Sequence, residues 1–138
     1  KGDFESGEIY YTNSTFYANH APVSFVERII GEGRIHPLIS AGAITHVWMG
    51  EHKPSVANVA DVVVKTYSDS QNAQIAFSPE FTTCVKCGKL SRGLHKACPS
   101  CGSEEVDGIT RITGYFTKVS SWNKGKKGEL RDRKRQGV

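Results

Sequence analysis

The segment CVKCGKLSRGLHKACPSCG, residues 84–102, contains every cysteine of this chain, arranged as two Cys-x-x-Cys pairs. The first pair is Cys84 and Cys87, the second is Cys98 and Cys101, and a glycine follows each pair. A Cys-x-x-Cys turn brings two thiolates onto one ion, and two such turns supply the tetrahedral four-sulfur shell that structural zinc prefers. Because protein thiolates fill all four positions, the pattern predicts a closed, structural zinc site in a small ribbon.

The cysteine spacing leaves three other interpretations open: two disulfides, a redox-active dithiol, or an iron–sulfur centre. A secreted disulfide scaffold would scatter its cysteines along the chain, which this sequence does not do. Four thiolates around Zn²⁺ carry a formal charge of −2, and nearby basic residues are expected to offset it. These are Lys86, Lys89, Arg92 and Lys96. His95 lies next to the second pair, and we expect it to be a packing or solvated residue rather than a ligand.

Length and composition predict one ordinary folded domain. The chain has 138 residues, of which 38% are hydrophobic and 23% charged, which excludes a disordered tail or a fibrous repeat. No apolar run approaches the roughly 18 residues of a membrane span, and the first residues lack the apolar core of a signal peptide. A soluble, cytoplasmic protein without membrane contact is therefore expected.

Upstream of the cysteines, apolar periodicity and breakers predict alternating strands and helices. The predicted elements are an extended segment over 9–15, a helix from Pro22 that ends at Gly31 and Gly33, a buried strand over 43–49, a helix capped by Ser55, and a short strand over 74–77. This alternation is typical of an α/β fold. These few elements cannot close a barrel by themselves, so they are expected to be part of something larger.

Positive charge is concentrated at the C-terminus. Residues 123–138 carry a net charge of +5, whereas residues 1–122 carry −1. A globally basic surface for nucleic acid is therefore not indicated. The basic tail is expected to present a solvated helix face, with contacts to nucleotide phosphates or to a protein partner as alternatives.

Gly114 interrupts a segment that otherwise reads as a strand, Arg111-Ile112-Thr113-Gly114-Tyr115-Phe116. Glycine weakens a strand and often marks a bulge or the close approach of another group. From the residues alone, a bulge glycine in a ribbon strand remains one interpretation.

The order of motifs resembles the C-terminus of the anaerobic, class III ribonucleoside-triphosphate reductases. The two cysteine pairs are followed by Arg-Ile-Thr-Gly-Tyr at 111–115 and by Trp-Asn-Lys-Gly-Lys at 122–126. Tyr-Tyr-Thr-Asn-Ser at 10–14 and Gly-Ala-Ile-Thr-His at 42–46 also resemble stretches of that family's catalytic barrel. Ile112 stands where the family usually has valine, which is a conservative difference.

This resemblance implies the fold class and its divisions. We expect α/β architecture: C-terminal elements of a glycyl-radical-enzyme α/β barrel, followed by a small zinc-ribbon subdomain and a glycyl-radical loop. The expected divisions are barrel elements over 1–80, the zinc ribbon over 81–106, the radical loop over 107–122 and the basic tail over 123–138. The metal ligands are expected to be Cys84, Cys87, Cys98 and Cys101.

The resemblance also implies an activity, with Gly114 as the residue that stores the radical. A separate activating enzyme that uses S-adenosylmethionine and an iron–sulfur cluster would generate it. The full enzyme would be an allosteric homodimer that reduces ribonucleoside triphosphates and so supplies deoxyribonucleotides for DNA replication. The family's thiyl cysteine lies upstream of the matching segment, so this chain alone is expected to be inactive.

The alternative function is a zinc-ribbon module that binds nucleic acid through its basic tail. Asn13 and Ser14 are further candidates, since their polar groups suit either a substrate phosphate or a turn. The histidines at 20, 36, 46 and 52 have no mutual metal spacing, and we expect packing or surface roles for them.

Overall fold

The computed structural model describes residues 1–12 and 14–137. It is a mixed α/β structure whose sheets stay open, so the described residues do not form a closed barrel. The strands are β1 Gly2–Asp3, β2 Glu8–Ile9, β3 Thr45–Gly50, β4 Ile75–Cys84, β5 Leu90–Arg92, β6 Val106–Arg111 and β7 Phe116–Lys118. The helices are α1 Phe25–Ile35, α2 Val56–Asp69 and α3 Lys124–Arg131, with short 3₁₀ turns at His36–Leu38 and Val119–Ser121.

Strand β4 joins the two halves of the chain. It pairs in parallel with β3 on one side and antiparallel with β6 on the other, while β5 pairs with its C-terminal half. Helix α2 connects β3 to β4, which makes a strand–helix–strand unit and confirms the predicted alternation. The strand has ten residues rather than the four expected over 74–77, and it ends at the first cysteine. The ribbon and the α/β part therefore share one continuous strand.

Helix α1 begins later than the sequence suggested, because Ser24 rather than Pro22 defines its start. The Ser24 side chain accepts from the Glu27 N–H, and the Glu27 carboxylate accepts from the Ser24 N–H at 2.8 Å. This reciprocal pair satisfies two of the N–H groups that a helix start leaves unbonded. Helix α2 begins as predicted, with the Ser55 hydroxyl accepting from the Asn58 N–H at 3.1 Å.

Gly31 and Gly33 do not end helix α1; both lie inside it and are buried. A Cβ at Gly31 would lie 2.4 Å from the ring of Tyr17, and one at Gly33 would lie 2.8 Å from the Asn72 amide. These glycines therefore serve close packing of the helix against its neighbours, which a local sequence pattern does not distinguish from termination.

The predicted extended segment over 9–15 is only partly a strand. Among its described residues, the strand ends at Ile9, and the buried Glu32 of α1 holds the residues from Thr15 to Tyr17. The Glu32 carboxylate accepts from the backbone N–H groups of Thr15, Phe16 and Tyr17 at 2.9 to 3.0 Å. A carboxylate with three N–H donors replaces the strand ladder at this point.

Helix α3 presents the expected exposed basic face, formed by Lys124, Lys127 and Arg131, while its other face and the residues after it pack into the body of the protein. Glu129, Leu130 and Arg133 are buried. Beyond α3, the Lys134 N–H donates to the Asn19 carbonyl and the Gln136 N–H donates to the Trp48 carbonyl. Across residues 1–12 and 14–137, no helix has the length and apolar character that crossing a membrane requires.

Candidate functional site

The four cysteine sulfurs converge at the end of β4. All four Sγ atoms lie within 4.8 Å of one another, with 3.7 Å between Cys84 and Cys101 and 3.7 Å between Cys87 and Cys98. Four sulfurs placed tetrahedrally about 2.3 Å from a zinc ion would be separated by about 3.8 Å. A disulfide would need about 2.05 Å between sulfurs. The spacing therefore fits one shared metal ion such as zinc, and it does not fit two disulfides.

The two cysteine turns are copies of one local structure. Gly88 and Gly102 both have φ of 71°, a left-handed conformation that glycine adopts without strain. The Gly88 N–H donates to the Cys84 carbonyl at 3.0 Å, and the Gly102 N–H donates to the Cys98 carbonyl at 2.9 Å. The glycine after each pair thus closes the turn that places its two thiols side by side.

The two thiols of the second turn differ in acidity. A backbone hydrogen bond with Ser103 lowers the pKa of Cys101, but burial and hydrogen bonds with the three other thiols outweigh it and raise that pKa to about 11. Hydrogen bonds from the backbone N–H groups of Cys101 and Ser100 lower the pKa of the Cys98 thiol to about 6. A thiol ionised near neutral pH gives up its proton to a metal at little cost. Cys84 and Cys98 are buried, whereas Cys87 and Cys101 are exposed.

His95 takes a packing role, as expected. Its backbone N–H donates to the Thr82 hydroxyl at 2.9 Å, and its Nε2 lies 2.7 Å from the Arg92 carbonyl oxygen. It is not part of the group of metal-binding side chains formed by the described residues.

Gly114 lies at the tip of the hairpin that joins β6 to β7. The predicted strand over 111–116 is broken there, because residues 112–115 form a turn closed by the Ile112 N–H and the Tyr115 carbonyl at 3.0 Å. Gly114 is exposed, its φ is not positive, and a Cβ added to it would meet nothing within 4 Å. Neither close packing nor backbone conformation within the described residues explains a glycine here. The bulge interpretation is therefore not supported.

Arg111 braces this turn. Its Nη1 donates to the Gly114 carbonyl oxygen at 2.6 Å, and its guanidinium lies 4.7 Å from the centre of the Phe116 ring. The sequence motif contains both residues, but nothing in the spacing showed that the arginine contacts the glycine.

Of the other predicted polar candidates, Ser14 is engaged locally and Asn13 lies outside the described residues. The Ser14 hydroxyl donates to the Tyr17 carbonyl and lies 3.0 Å from the Thr12 hydroxyl. A role in turn structure therefore accounts for Ser14 without a ligand.

The four remaining histidines lie at surface or packing positions. His20 and His52 are exposed, and His36 is buried with its Nδ1 accepting from the Ala73 N–H at 3.0 Å. His46 is buried and stacks on Trp48, with ring centres 4.6 Å apart and planes 8° apart.

A buried ion pair anchors the C-terminal helix, and the sequence analysis missed it. Arg133 Nε and Nη2 each donate to the Glu129 carboxylate at 2.8 Å, and the Asn19 amide also donates to that carboxylate. The Arg133 guanidinium lies 3.8 Å from the centre of the Trp48 ring and 5.4 Å from that of Trp122. The i, i+4 spacing of Glu129 and Arg133 is the sequence signal from which the pair could have been predicted.

Ion pairs also occupy other basic residues of this segment, including Arg131 with Glu8 and Arg135 with Glu80. Several of the basic side chains that a nucleic-acid-binding tail would need are thus paired with carboxylates of the same protein. The alternative of a nucleic-acid module is correspondingly weakened.

Comparison with known proteins adds a family match and two similar solved structures. The family model described as anaerobic ribonucleoside-triphosphate reductase matches residues 1–135. One structure, titled as an anaerobic ribonucleotide reductase, is 25% identical and superposes with a TM-score of 0.73 over 93% of this chain and 20% of that chain. The anaerobic ribonucleotide reductase from Thermotoga maritima in complex with dATP and CTP is 26% identical, with a TM-score of 0.61 over 86% of this chain and 19% of that chain.

The chain thus spans about a fifth of the length of these solved structures. Among curated proteins, no sequence matches it significantly.

Proposed function

Because the chain belongs to the anaerobic ribonucleoside-triphosphate reductase family, we propose that it forms the C-terminal part of an enzyme that reduces ribonucleoside triphosphates by radical chemistry. The observation that carries this proposal is Gly114. It is a glycine at an exposed hairpin tip where the described structure has no steric need for one. Radical chemistry at the α-carbon would explain why position 114 is a glycine, which packing does not explain.

An α-carbon radical at Gly114 would be delocalised over the amide nitrogen on one side and the carbonyl on the other. Delocalisation requires a planar unit, which a side chain would oppose, and glycine has none. The separate activating enzyme, which uses S-adenosylmethionine and an iron–sulfur cluster, would remove one hydrogen atom from Cα. The exposed position of Gly114 on the hairpin suits access by such a partner.

The stored radical would then pass to a cysteine of the reductase, which abstracts hydrogen from the substrate ribose. All four cysteines of this sequence lie in the metal-binding cluster, so that thiyl residue belongs to the remainder of the reductase. In the overall reaction the 2′-hydroxyl leaves as water and hydrogen takes its place. Two electrons come from an external reductant, formate or a thioredoxin-like protein. Because the thiyl cysteine lies in the remainder of the reductase, this chain alone is inactive. The complete enzyme is a homodimer under allosteric control.

Zinc held by Cys84, Cys87, Cys98 and Cys101 would serve a structural purpose. Bound there, the ion would cross-link the end of β4 to the loop before β6, since Cys84 lies opposite Val106 in the sheet. That link supports the base of the hairpin whose tip is Gly114. No open coordination position remains for substrate, because the four thiolates complete the shell.

We retain the division into barrel elements over 1–80, zinc ribbon over 81–106, radical loop over 107–122 and C-terminal tail over 123–138 as functional parts. They are not separately folded units, because β4 runs through the first boundary and the tail packs against β3. The parallel β3–β4 pair with α2 across it would be one unit of the catalytic barrel.

The test is electron paramagnetic resonance of the full-length reductase after anaerobic activation. The wild type should show a doublet-type organic radical, and Gly114→Ala should abolish it. Gly137→Ala is the matched control, because an alanine there meets nothing closer than 3.8 Å. Gly125 is unsuitable, since a Cβ at that position would lie 2.1 Å from the Ile9 carbonyl oxygen.

Exposure to air gives a second readout of the same assignment. Oxygen adds to a glycyl radical and cleaves the backbone there, so activated enzyme should be cut at Gly114 and release the residues that follow it as one discrete piece. An intact chain after proven activation, or cleavage at another residue, would rule out Gly114 as the radical site.

A further inference from the structure

The hairpin that carries Gly114 is held unequally along its two strands. Strand β6 pairs with β4 at five positions, and that ladder reaches Cys84 of the cysteine cluster. Strand β7 pairs only with β6 among the described strands, through Phe116, Thr117 and Lys118. The orientation of the β7 arm therefore depends on what holds the chain where this short ladder ends.

A side-chain clamp between Asp107 and Ser120 continues the hairpin beyond its backbone ladder. The last backbone pair is Ile109 with Lys118, and the same register places Ser120 opposite Asp107. The Asp107 carboxylate accepts from the Ser120 N–H at 3.1 Å through Oδ1 and from the Ser120 hydroxyl at 2.5 Å through Oδ2. Bonds from two donors of one residue to both oxygens of one carboxylate restrict rotation as well as distance. The clamp therefore fixes the angle between the two arms at the base of the hairpin.

The clamp also takes the place of a local cap for the 3₁₀ turn Val119–Ser121. The turn begins after Lys118, whose side chain makes no capping hydrogen bond. The first N–H groups of a helical turn have no partner within it, and a side-chain oxygen normally accepts from one of them. Here that oxygen comes from Asp107 on the neighbouring strand. One contact thus holds both the turn and the hairpin.

Gly108, the residue after Asp107, brings the cysteine ribbon to the same point. A Cβ at Gly108 would lie 2.9 Å from Leu94 Cδ2 and 3.0 Å from Val119 Cγ2. The side chain of Leu94, which lies between the two cysteine pairs, and that of Val119 therefore both reach the backbone of β6. The ribbon, β6 and the segment after β7 meet at the base of the hairpin.

Small rotations at this base are amplified at Gly114. From Asp107 to the end of β6 at Arg111 the strand rises about 13 Å, and the turn that carries Gly114 lies beyond it. A rotation of about 5° at Asp107 would therefore move the tip by about 1 Å. Misplacing a reacting group by about 1 Å can reduce a rate about 100-fold. The clamp is consequently placed to control any step that depends on the position of Gly114.

We propose that Asp107 is a positioning residue for the radical chemistry. By clamping Ser120 it sets the angle of the hairpin, and hence the place of the Gly114 α-carbon relative to the cysteine that exchanges hydrogen with it. In that exchange the S–H bond of the cysteine breaks and a C–H bond forms at Gly114, so one hydrogen atom moves and the unpaired electron passes to sulfur. The inference rests on the proposed function and adds a residue pair to it.

The clamp should affect transfer of the radical more than its formation. Formation requires that the activating enzyme reaches Gly114, and the tip of the hairpin is exposed. Transfer to the cysteine requires the reacting atoms to approach to about 3–3.5 Å, which only a correctly oriented hairpin provides. A hairpin released at its base would thus still accept the radical but would transfer it slowly.

The experiment measures two quantities in the activated full-length reductase: radical per chain, from electron paramagnetic resonance, and kcat per radical. Asp107→Ala should leave the radical per chain within about twofold of the wild-type value. It should lower kcat per radical by roughly 10-fold, since two hydrogen bonds to a charged acceptor are lost. Ser120→Thr keeps both donors and should be close to the wild type. Glu104→Ala, at an exposed carboxylate just before β6, is the matched control and should change neither quantity.

Two further variants keep the test decisive. Asp107→Asn retains an oxygen that accepts, so its kcat per radical should lie between the values of the wild type and Asp107→Ala. If Asp107→Ala does not fold, Ser120→Ala, which removes only the hydroxyl, replaces it under the same criterion. The criterion separates positioning from general damage, because a damaged hairpin would lose the radical as well. An unchanged kcat per radical, or a loss of radical that accounts for the whole loss of turnover, would overturn the role of Asp107.

Failure of the proposed function would look different. In that case the wild-type enzyme would form no radical at Gly114 and would show no turnover, whatever residue stands at position 107.

Discussion

Arg111 Nη1 donates a hydrogen bond of 2.6 Å to the carbonyl oxygen of Gly114, which lies three residues further along the same hairpin. The contact matters for the proposed radical because that carbonyl is the electron-withdrawing half of the delocalised unit. A cationic donor at the oxygen strengthens the withdrawal and holds the carbonyl in one orientation. The Phe116 ring, whose centre lies 4.7 Å from the guanidinium, contacts the arginine in this position. Arg111 is thus a positioning residue for Gly114.

Arg111→Met should therefore lower the amount of radical formed per chain without abolishing it. Loss of a hydrogen bond worth about 1 kcal/mol corresponds to roughly fivefold less radical per chain at steady state. The measurement is the intensity and line shape of the resonance signal after activation. Arg34→Met, at an exposed arginine of α1, is the control and should leave the signal unchanged. A wild-type signal in Arg111→Met would contradict the positioning role.

The cysteine cluster predicts one zinc ion per chain. Cys98→Ser should lose the metal and loosen the structure after Thr83, since the ribbon has few apolar side chains to hold it without the ion. Elemental analysis of reduced protein measures the zinc, and hydrogen exchange measures the loosening. Ser100→Ala changes a neighbouring side chain without touching a ligand, and it should retain zinc. Freshly purified, reduced wild type without zinc would refute the assignment.

Breaking the buried Glu129–Arg133 pair should be strongly destabilising. Arg133→Met would leave the fully buried Glu129 carboxylate without its main counter-charge. Removing one partner of a buried pair typically costs about 3–5 kcal/mol. The free energy of unfolding from urea titration provides the measurement. Lys124→Met, an exposed substitution in the same helix, should change it by less than about 0.5 kcal/mol. Equal effects of the two substitutions would show that the pair contributes little.

His46 predicts a loss of stability in mild acid. Its pKa is about 4 in the folded protein and 6.5 as the ordinary value, because burial disfavours the charged ring. Between those values the unfolded chain binds a proton that the folded chain does not, so stability falls as pH drops from about 6.5 to about 4. The full loss is about 3 kcal/mol, and it is absent above pH 6.5.

Urea midpoints measured across that pH range check the effect, with His46→Phe as the comparison. The pKa of His36 is also lowered by burial, so that residue contributes in the same direction in both proteins. The difference in slope between wild type and His46→Phe isolates the contribution of His46. Parallel curves would show that His46 does not titrate in this way.

Features set by short-range spacing could be predicted from the sequence. The two cysteine pairs and their glycines specify turns of a few residues, and these turns have the expected form. The Ser55 cap and the strand–helix–strand order follow from local propensity and periodicity in the same way. Motif order also led to the family, because it is a property of the chain and needs no coordinates.

What the sequence by itself determined was therefore the metal-binding cluster, the α/β order and the family; the tertiary structure alone decided how distant residues meet. Glu129 pairs with Asn19 across 110 residues, and Glu32 holds a loop 15 to 17 residues before it. The local sequence predicted a helix end at Gly31, yet Gly31 lies inside α1. The ring of Tyr17 occupies the space that a side chain at this position would need. The physical reason is that the energies of burial and pairing depend on which surfaces come into contact. The local periodicity of the sequence does not specify those contacts.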